Sequence, residues 1–200
     1  MCRITAIHSN NAALLPIHIK NVAHELLTLT LLTAVRPVHV AVEDASLARL
    51  ALAGPNGTRL SYDVSLAVSV HNRNWAMRAV LGADAPLDAE LFFAGEHFAG
   101  EHFARVRIQG SSRRCICPGN TEVYNVVAAG EGTAPLRSAG VATLVKESVA
   151  GGGFRLELKL AGEVRYPPHR TRRLEATCPL KLPLASPAGQ ARFKKVECVV

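Results

Sequence analysis

Leu60-Ser-Tyr-Asp-Val-Ser-Leu-Ala-Val-Ser-Val70 alternates along its whole length. Leu60, Tyr62, Val64, Leu66, Val68 and Val70 fall on one side, and Ser61, Asp63, Ser65, Ala67 and Ser69 on the other. Successive side chains of a strand point to opposite faces, so this period of two predicts a half-buried β-strand. The pattern returns at Phe154, Leu156, Leu158 and Leu160, alternating with Arg155, Glu157 and Lys159. It returns again at Leu174, Ala176, Cys178, Leu180 and Leu182. Weaker strand runs lie at 38–43, 47–53, 87–93, 103–108, 121–128, 141–149 and 193–199. Pro55-Asn56-Gly57 reads as an Asn-Gly hairpin turn, and Pro118-Gly119, Gly151-Gly152-Gly153 and Pro167-Pro168 as further loops. After residue 38 no segment holds a helical period for three turns. Many short strands with regular turn signals predict an all-β sandwich or barrel, and one apolar face on each strand suits two antiparallel sheets packed face to face.

The first 35 residues read differently. Leu26 to Val35 (LLTLTLLTAV) is apolar but about half the roughly 20 residues a spanning helix needs. It lacks the basic start of a signal peptide. Residues 1–35 are read as a leader, partly helical or the remnant of a membrane anchor. Arg36-Pro37 marks the boundary to one domain over 36–200. A chain that is 48% hydrophobic and 20% charged is neither a disordered polar chain nor a polytopic membrane protein.

The formal charge of +7 is uneven. Residues 1–100 carry 7 Lys/Arg against 8 Asp/Glu, and residues 101–200 carry 16 against 8. The second half therefore offers a basic surface, centred on Arg170, Arg172, Arg173, Lys194 and Lys195, to an anionic partner such as acidic lipid or cell-wall polymer. A merely solvated basic face is the plainer reading of such runs. Nucleic acid is not expected, because few aromatics lie among the basic residues to stack on bases. Five cysteines are too few for a disulfide scaffold. Cys178 and Cys198 sit in the last two strand-like segments, where a bridge between neighbouring strands would form in an oxidising compartment; free thiols would point to cytosol. Asn56-Gly57-Thr58 is an N-glycosylation acceptor in an exposed turn, though Asn-Gly is also plain turn chemistry.

Ala94-Gly-Glu-His-Phe98 is repeated at once as Ala99-Gly-Glu-His-Phe103. Five is odd, so an insertion inside a strand would flip every later side chain. The repeat is expected in an enlarged hairpin tip or bulge. It places Glu96, His97, Glu101 and His102 close together, one residue too long for an H-x-x-E-H metal motif and without the helix that motif needs. No nucleophile elbow, C-x-x-C pair or phosphate-binding loop is present, and no cofactor is expected.

The order of several segments resembles the plant late-embryogenesis-abundant type 2 domain, in its harpin-induced-like branch. Arg36-Pro-Val-His-Val-Ala-Val42 and Ala45-Ser-Leu47 are similar to its entry strand. His71-Asn72-Arg73-Asn74 is similar to its N-P-N motif, with Arg73 in place of proline. Phe92-Phe93-Ala94-Gly95 is similar to its small Y-x-G hairpin, and Cys178-Pro-Leu-Lys-Leu-Pro-Leu184 with Cys198 to its closing strands. The resemblance covers 36–200. It implies an antiparallel β-sandwich of the fibronectin-III/immunoglobulin type without a catalytic site, a role in defence or stress, and a domain on the non-cytosolic side of the plasma membrane. Partners would be anionic lipid, wall polymer or another membrane protein. A soluble desiccation-related protein without a dedicated ligand is the second expectation, and a metal-dependent enzyme on Glu96, His97, Glu101 and His102 the third.

Overall fold

The alternation over 60–70 becomes one long strand, with Leu60, Val64, Leu66, Val68 and Val70 each at most 2% exposed. In the computed structural model the described residues are 35–200 without 55, 58, 82–86, 94–100, 108–113, 169 and 186–192. For 101–107, 114, 133 and 134 the description stops at the backbone. The strands are β1 (His39–Ala53), β2 (Arg59–His71), β3 (Ala79–Leu81), β4 (Asp88–Phe93), β5 (Glu101–Arg107), β6 (Arg114–Ile116), β7 (Thr121–Pro135), β8 (Phe154–Tyr166), β9 (Arg170–Leu182) and β10 (Val196–Glu197). One antiparallel sheet has the order β10-β1-β2-β7. The other has the order β5-β4-β8-β3-β6, with β9 paired to β8. The two sheets pack face to face as an all-β sandwich, their inner faces supplying one core. Phe154, Leu156, Leu158 and Leu160 of β8 and Leu174, Ala176, Leu180 and Leu182 of β9 are all buried in it. A one-residue slip in either strand would expose the whole set, at about 1.5–3 kcal/mol for each large side chain.

β1 looked like two runs because its ladder is interrupted twice. The register with β2 shifts between Val42 and Asp44 and again between Leu47 and Arg49. Glu43 and Ala48 are the extra residues, and a bulge re-aims the side chain it carries. The connection from β1 to β2 is also not a two-residue Asn-Gly turn. Ala53 pairs with Arg59, and the turn bond runs from the Gly57 N–H to the Gly54 carbonyl. Gly57 closes the turn at φ +59° instead of standing at its centre. The short strands β3 and β6 left no period to read.

The strand expected at 141–149 is a helix, α1 (Ser138–Ala150). Its inward positions are Gly140, Leu144 and Glu147, so the buried face carries one large apolar residue, while Val145 and Val149 are exposed. An amphipathic stripe of the usual kind is therefore missing from the sequence. The helix is fixed instead by Glu147, whose carboxylate accepts from the Arg155 side chain at 2.7 Å and from the Arg155 N–H at 3.2 Å. Gly151 ends it in the left-handed conformation, φ +63°.

The tandem repeat spans the β4–β5 connection. Residues 94–100, with Glu96 and His97, lie outside the described residues, whereas Glu101 and His102 open β5 opposite Phe93 and Phe92. The ladder then shifts, Leu91 pairing with Ala104, which leaves Phe103 as an extra residue in the strand.

The segment after 193 is a strap that closes one side of the sandwich. Val196 and Glu197 pair with Val42 and Ala41 of one sheet, and the Cys198 N–H donates to the Val40 carbonyl at 3.0 Å. Val199 then exchanges two backbone bonds with Thr177 of the other sheet. Cys198 is joined to Cys178 by a disulfide.

Candidate functional site

The antiparallel topology brings the start of β1, the end of β2, the start of β3, the ends of β6 and β8 and the start of β9 to one end of the sandwich. A hub of two buried asparagines organises this end; Asn72 is 0% and Asn74 3% exposed. The Asn72 carboxamide donates to the carbonyls of Met77 (2.8 Å), Ile116 (3.1 Å) and Cys117 (3.4 Å). Its oxygen accepts from the Asn74 N–H at 3.1 Å and from the Asn74 side chain at 2.9 Å. The Asn74 oxygen in turn accepts from the Arg36 N–H at 2.8 Å, and its amide donates to the Arg36 carbonyl at 2.9 Å. On the backbone, the Asn72 N–H donates to Asn120 and the Gly119 N–H reaches the carbonyls of both asparagines. Strand-end backbone that the ladders cannot pair is satisfied here by side chains, as buried polar groups require.

Outside this hub the surface is basic. Arg36, Arg73 and Arg78 are exposed, and none of the segments 35–38, 71–79 and 115–121 contains Asp or Glu. Arg170 and Arg172, exposed at the start of β9, stand at the same end. Arg172 lines a groove of 290 Å³ with Pro37, Val38 and Tyr166, and Arg173 and Glu175 stand in its wall as well. The Tyr166 hydroxyl, buried below, accepts from the Val38 N–H at 3.2 Å. Burial pushes its phenol above the ordinary value, against the opposing pull of that hydrogen bond and of Arg172.

The five basic residues singled out in the sequence do not form one face. Arg173 points to the outer side of its sheet and is paired with Glu175 at 2.7 Å. Lys194 and Lys195 lie beside the far end of β9, in a groove of 1230 Å³ that also has Lys181, Glu43 and Phe193 in its wall. Arg173 and Lys181 are eight residues apart on β9, about 26 Å at strand spacing. Lys195 stands 2.9 Å from Glu43 and 3.5 Å from Glu197. Three arginines of the near-neutral half, Arg36, Arg73 and Arg78, take the place of this lysine pair at the basic end. Halving the chain by residue number concealed them, because sheet pairing joins the halves at their strand ends.

Glu43 is the bulge residue of β1. The Ser69 hydroxyl donates to it at 2.7 Å, and with Lys195 holds its carboxyl below the ordinary 4.5. A lowered carboxyl stabilises the fold in full above its ordinary pKa, and that contribution is lost as pH falls through the folded value. Amide exchange at Cys198, corrected for intrinsic rates, should therefore lose protection below about pH 4.5 in the native chain. The same loss in Glu43→Gln would show that this carboxylate does not hold the strap.

Asn56 is exposed at the β1–β2 tip. Cys117 is disulfide-bonded and Cys115 is a free thiol. Among the described residues no group of three or more His, Cys, Asp or Glu is placed to hold a metal ion. No helix among them is long and apolar enough to cross a membrane, and residues 1–34 of the leader lie outside them.

No protein-family model matches the chain, and no curated protein matches it. Among solved structures it is similar to a structural-genomics target designated SoR45, at 10% identity and a TM-score of 0.41, over 76% of this chain and 86% of that one. It is also similar to a protein from Archaeoglobus fulgidus, at 9% identity and a TM-score of 0.30, over 72% of this chain and 99% of that one. Neither likeness is close enough to carry a function across.

Proposed function

We propose that this domain is a non-enzymatic contact module of the plant defence and stress type that the sequence resembles, working through the arginine-bearing end of the sandwich on an anionic surface. The gathering of Arg36, Arg73, Arg78, Arg170 and Arg172 at one end, where 35–38, 71–79 and 115–121 carry no carboxylate and Glu175 of β9 is paired with Arg173, carries this reading. Such a patch attracts acidic lipid headgroups or uronate polymers, in a manner weakened by salt. The asparagine hub supports the family reading, since it gives both asparagines of the N-x-N pattern a buried role. No hub bond uses the N–H of residue 73, so the proline of the resembling motif would cost none. The disulfide-bonded Cys117, Cys178 and Cys198 support an oxidising location, on the non-cytosolic side of the plasma membrane.

Co-sedimentation of the full chain with anionic liposomes and with polygalacturonate at low and high salt is the test. Binding to at least one should be lost at high salt. It should fall at least tenfold when Arg36, Arg73 and Arg78 are changed to Gln, and persist when Lys194 and Lys195 are. No binding at low salt, or an equal loss in the lysine variant, would refute the assignment.

A further inference from the structure

Trp75 is the one tryptophan of the chain, and it is 72% exposed. An indole in water is a cost without a partner, and here it is not carried on a slack loop. Its predecessor Asn74 is buried and bonded on both sides to Arg36 and to Asn72, and Asn72 is bonded to Met77 two residues further on. The hub thus presents Trp75 outward on a fixed base. Arg73 and Arg78 flank it in sequence, Arg36 is tied to the same base, and all three are exposed. An aromatic ring among cations, with no carboxylate in the surrounding segments, has the chemistry of a membrane interface: the indole sits at headgroup level while guanidinium groups meet phosphates. The chain enters the domain at this same end. Arg36 is preceded directly by the apolar stretch Leu26 to Val35, so the sequence next to the patch is the part of the protein richest in residues that lipid accepts.

We infer that this end docks on an anionic lipid bilayer with Trp75 seated among the headgroups and Arg36, Arg73 and Arg78 on the phosphates. The inference rests on the arginine end being the contact surface and commits it to one of the two anionic partners, lipid over acidic polysaccharide. An aromatic side chain that stands clear of the fold gains from leaving water at a bilayer surface.

Because Trp75 is the sole tryptophan, its fluorescence reports on this patch alone, even in the full chain with its leader. On adding vesicles of phosphatidylserine and phosphatidylcholine, its emission should shift to the blue, and lipids brominated along the acyl chain should quench it. Vesicles of phosphatidylcholine alone should give neither effect. Trp75→Ala should weaken partitioning about tenfold with the stability unchanged, the size expected for part of an indole leaving water. Each of Arg36, Arg73 and Arg78 changed to Gln should weaken it about fivefold. Vesicle binding with unchanged, unquenched emission would overturn the docking geometry while leaving the anionic-surface role standing. Binding to polygalacturonate but not to vesicles would likewise overturn the choice of lipid. Binding to neither would overturn both.

Discussion

Asn72→Ala should destabilise the domain by about 4 kcal/mol or more, a large share of the roughly 5–15 kcal/mol that holds a domain folded. The side chain is 0% exposed and satisfies three carbonyls and two Asn74 donors. Each buried group left without a partner costs about 1–3 kcal/mol. Asn72→Asp is the sharper variant. It keeps the shape but replaces two N–H donors with acceptors facing three carbonyl oxygens, so it should be as damaging as alanine. Chemical denaturation of the native chain and both variants measures this. An aspartate variant within about 1 kcal/mol of native would mean that shape, not hydrogen bonding, is what the hub requires. Because Asn74 and Arg36 hang on the same network, either variant should also loosen the loop carrying Trp75, seen as faster collisional quenching of its emission.

Reducing the Cys178–Cys198 bridge, or changing Cys198→Ser, should cost about 3 kcal/mol. The sequence separation is 20, and closing a loop of that length in the unfolded chain accounts for an effect of this size. The loss should appear first as exposure of the segment after 193, because among the described residues it is held to the two sheets by short backbone pairs at Val196, Glu197, Cys198 and Val199 and by the exposed pairs Lys195–Glu43 and Glu197–His39. Cys115→Ser is the control: its thiol is free, so stability should not change. Denaturant midpoints of the native chain, Cys198→Ser and Cys115→Ser, all without reductant because Cys117 is disulfide-bonded too, decide the matter. An unchanged midpoint for Cys198→Ser would show that the strand pairs alone hold the strap.

The sandwich was legible because its central strands are long and wet on one face only. Leu60–Val70, Phe154–Leu160 and Leu174–Leu182 each show the period of two that the pairing of β2 with β1 and β7, and of β8 with β9, requires. β1 was legible in halves, since each bulge resets the alternation. α1 was not legible at all, because a glycine and a salt-bridged glutamate occupy positions on its inner face where apolar residues would give a helical signal. Charge was the weakest guide. It located Arg170 and Arg172 but attached them to Lys194 and Lys195, which stand elsewhere, and passed over Arg36, Arg73, Arg78 and Trp75. Their proximity follows from hydrogen bonds between residues 38 and 44 positions apart in the chain, a distance over which no periodicity speaks.

The bridge at Cys198 also decides how the domain would respond to being pulled. β1 begins at the basic end, and the strap runs antiparallel to it and finishes toward that end. Tension between the entry at Val35 and Val200 would load the strap's pairs one after another, the geometry of a zipper. The covalent link stops such peeling two residues from Val200 and passes the force to Cys178, within the thirteen-pair ladder of β8 and β9. The seam between the sheets is thereby protected by the longest hairpin of its own sheet. Peeling that starts from Val200 is thus arrested at the bridge.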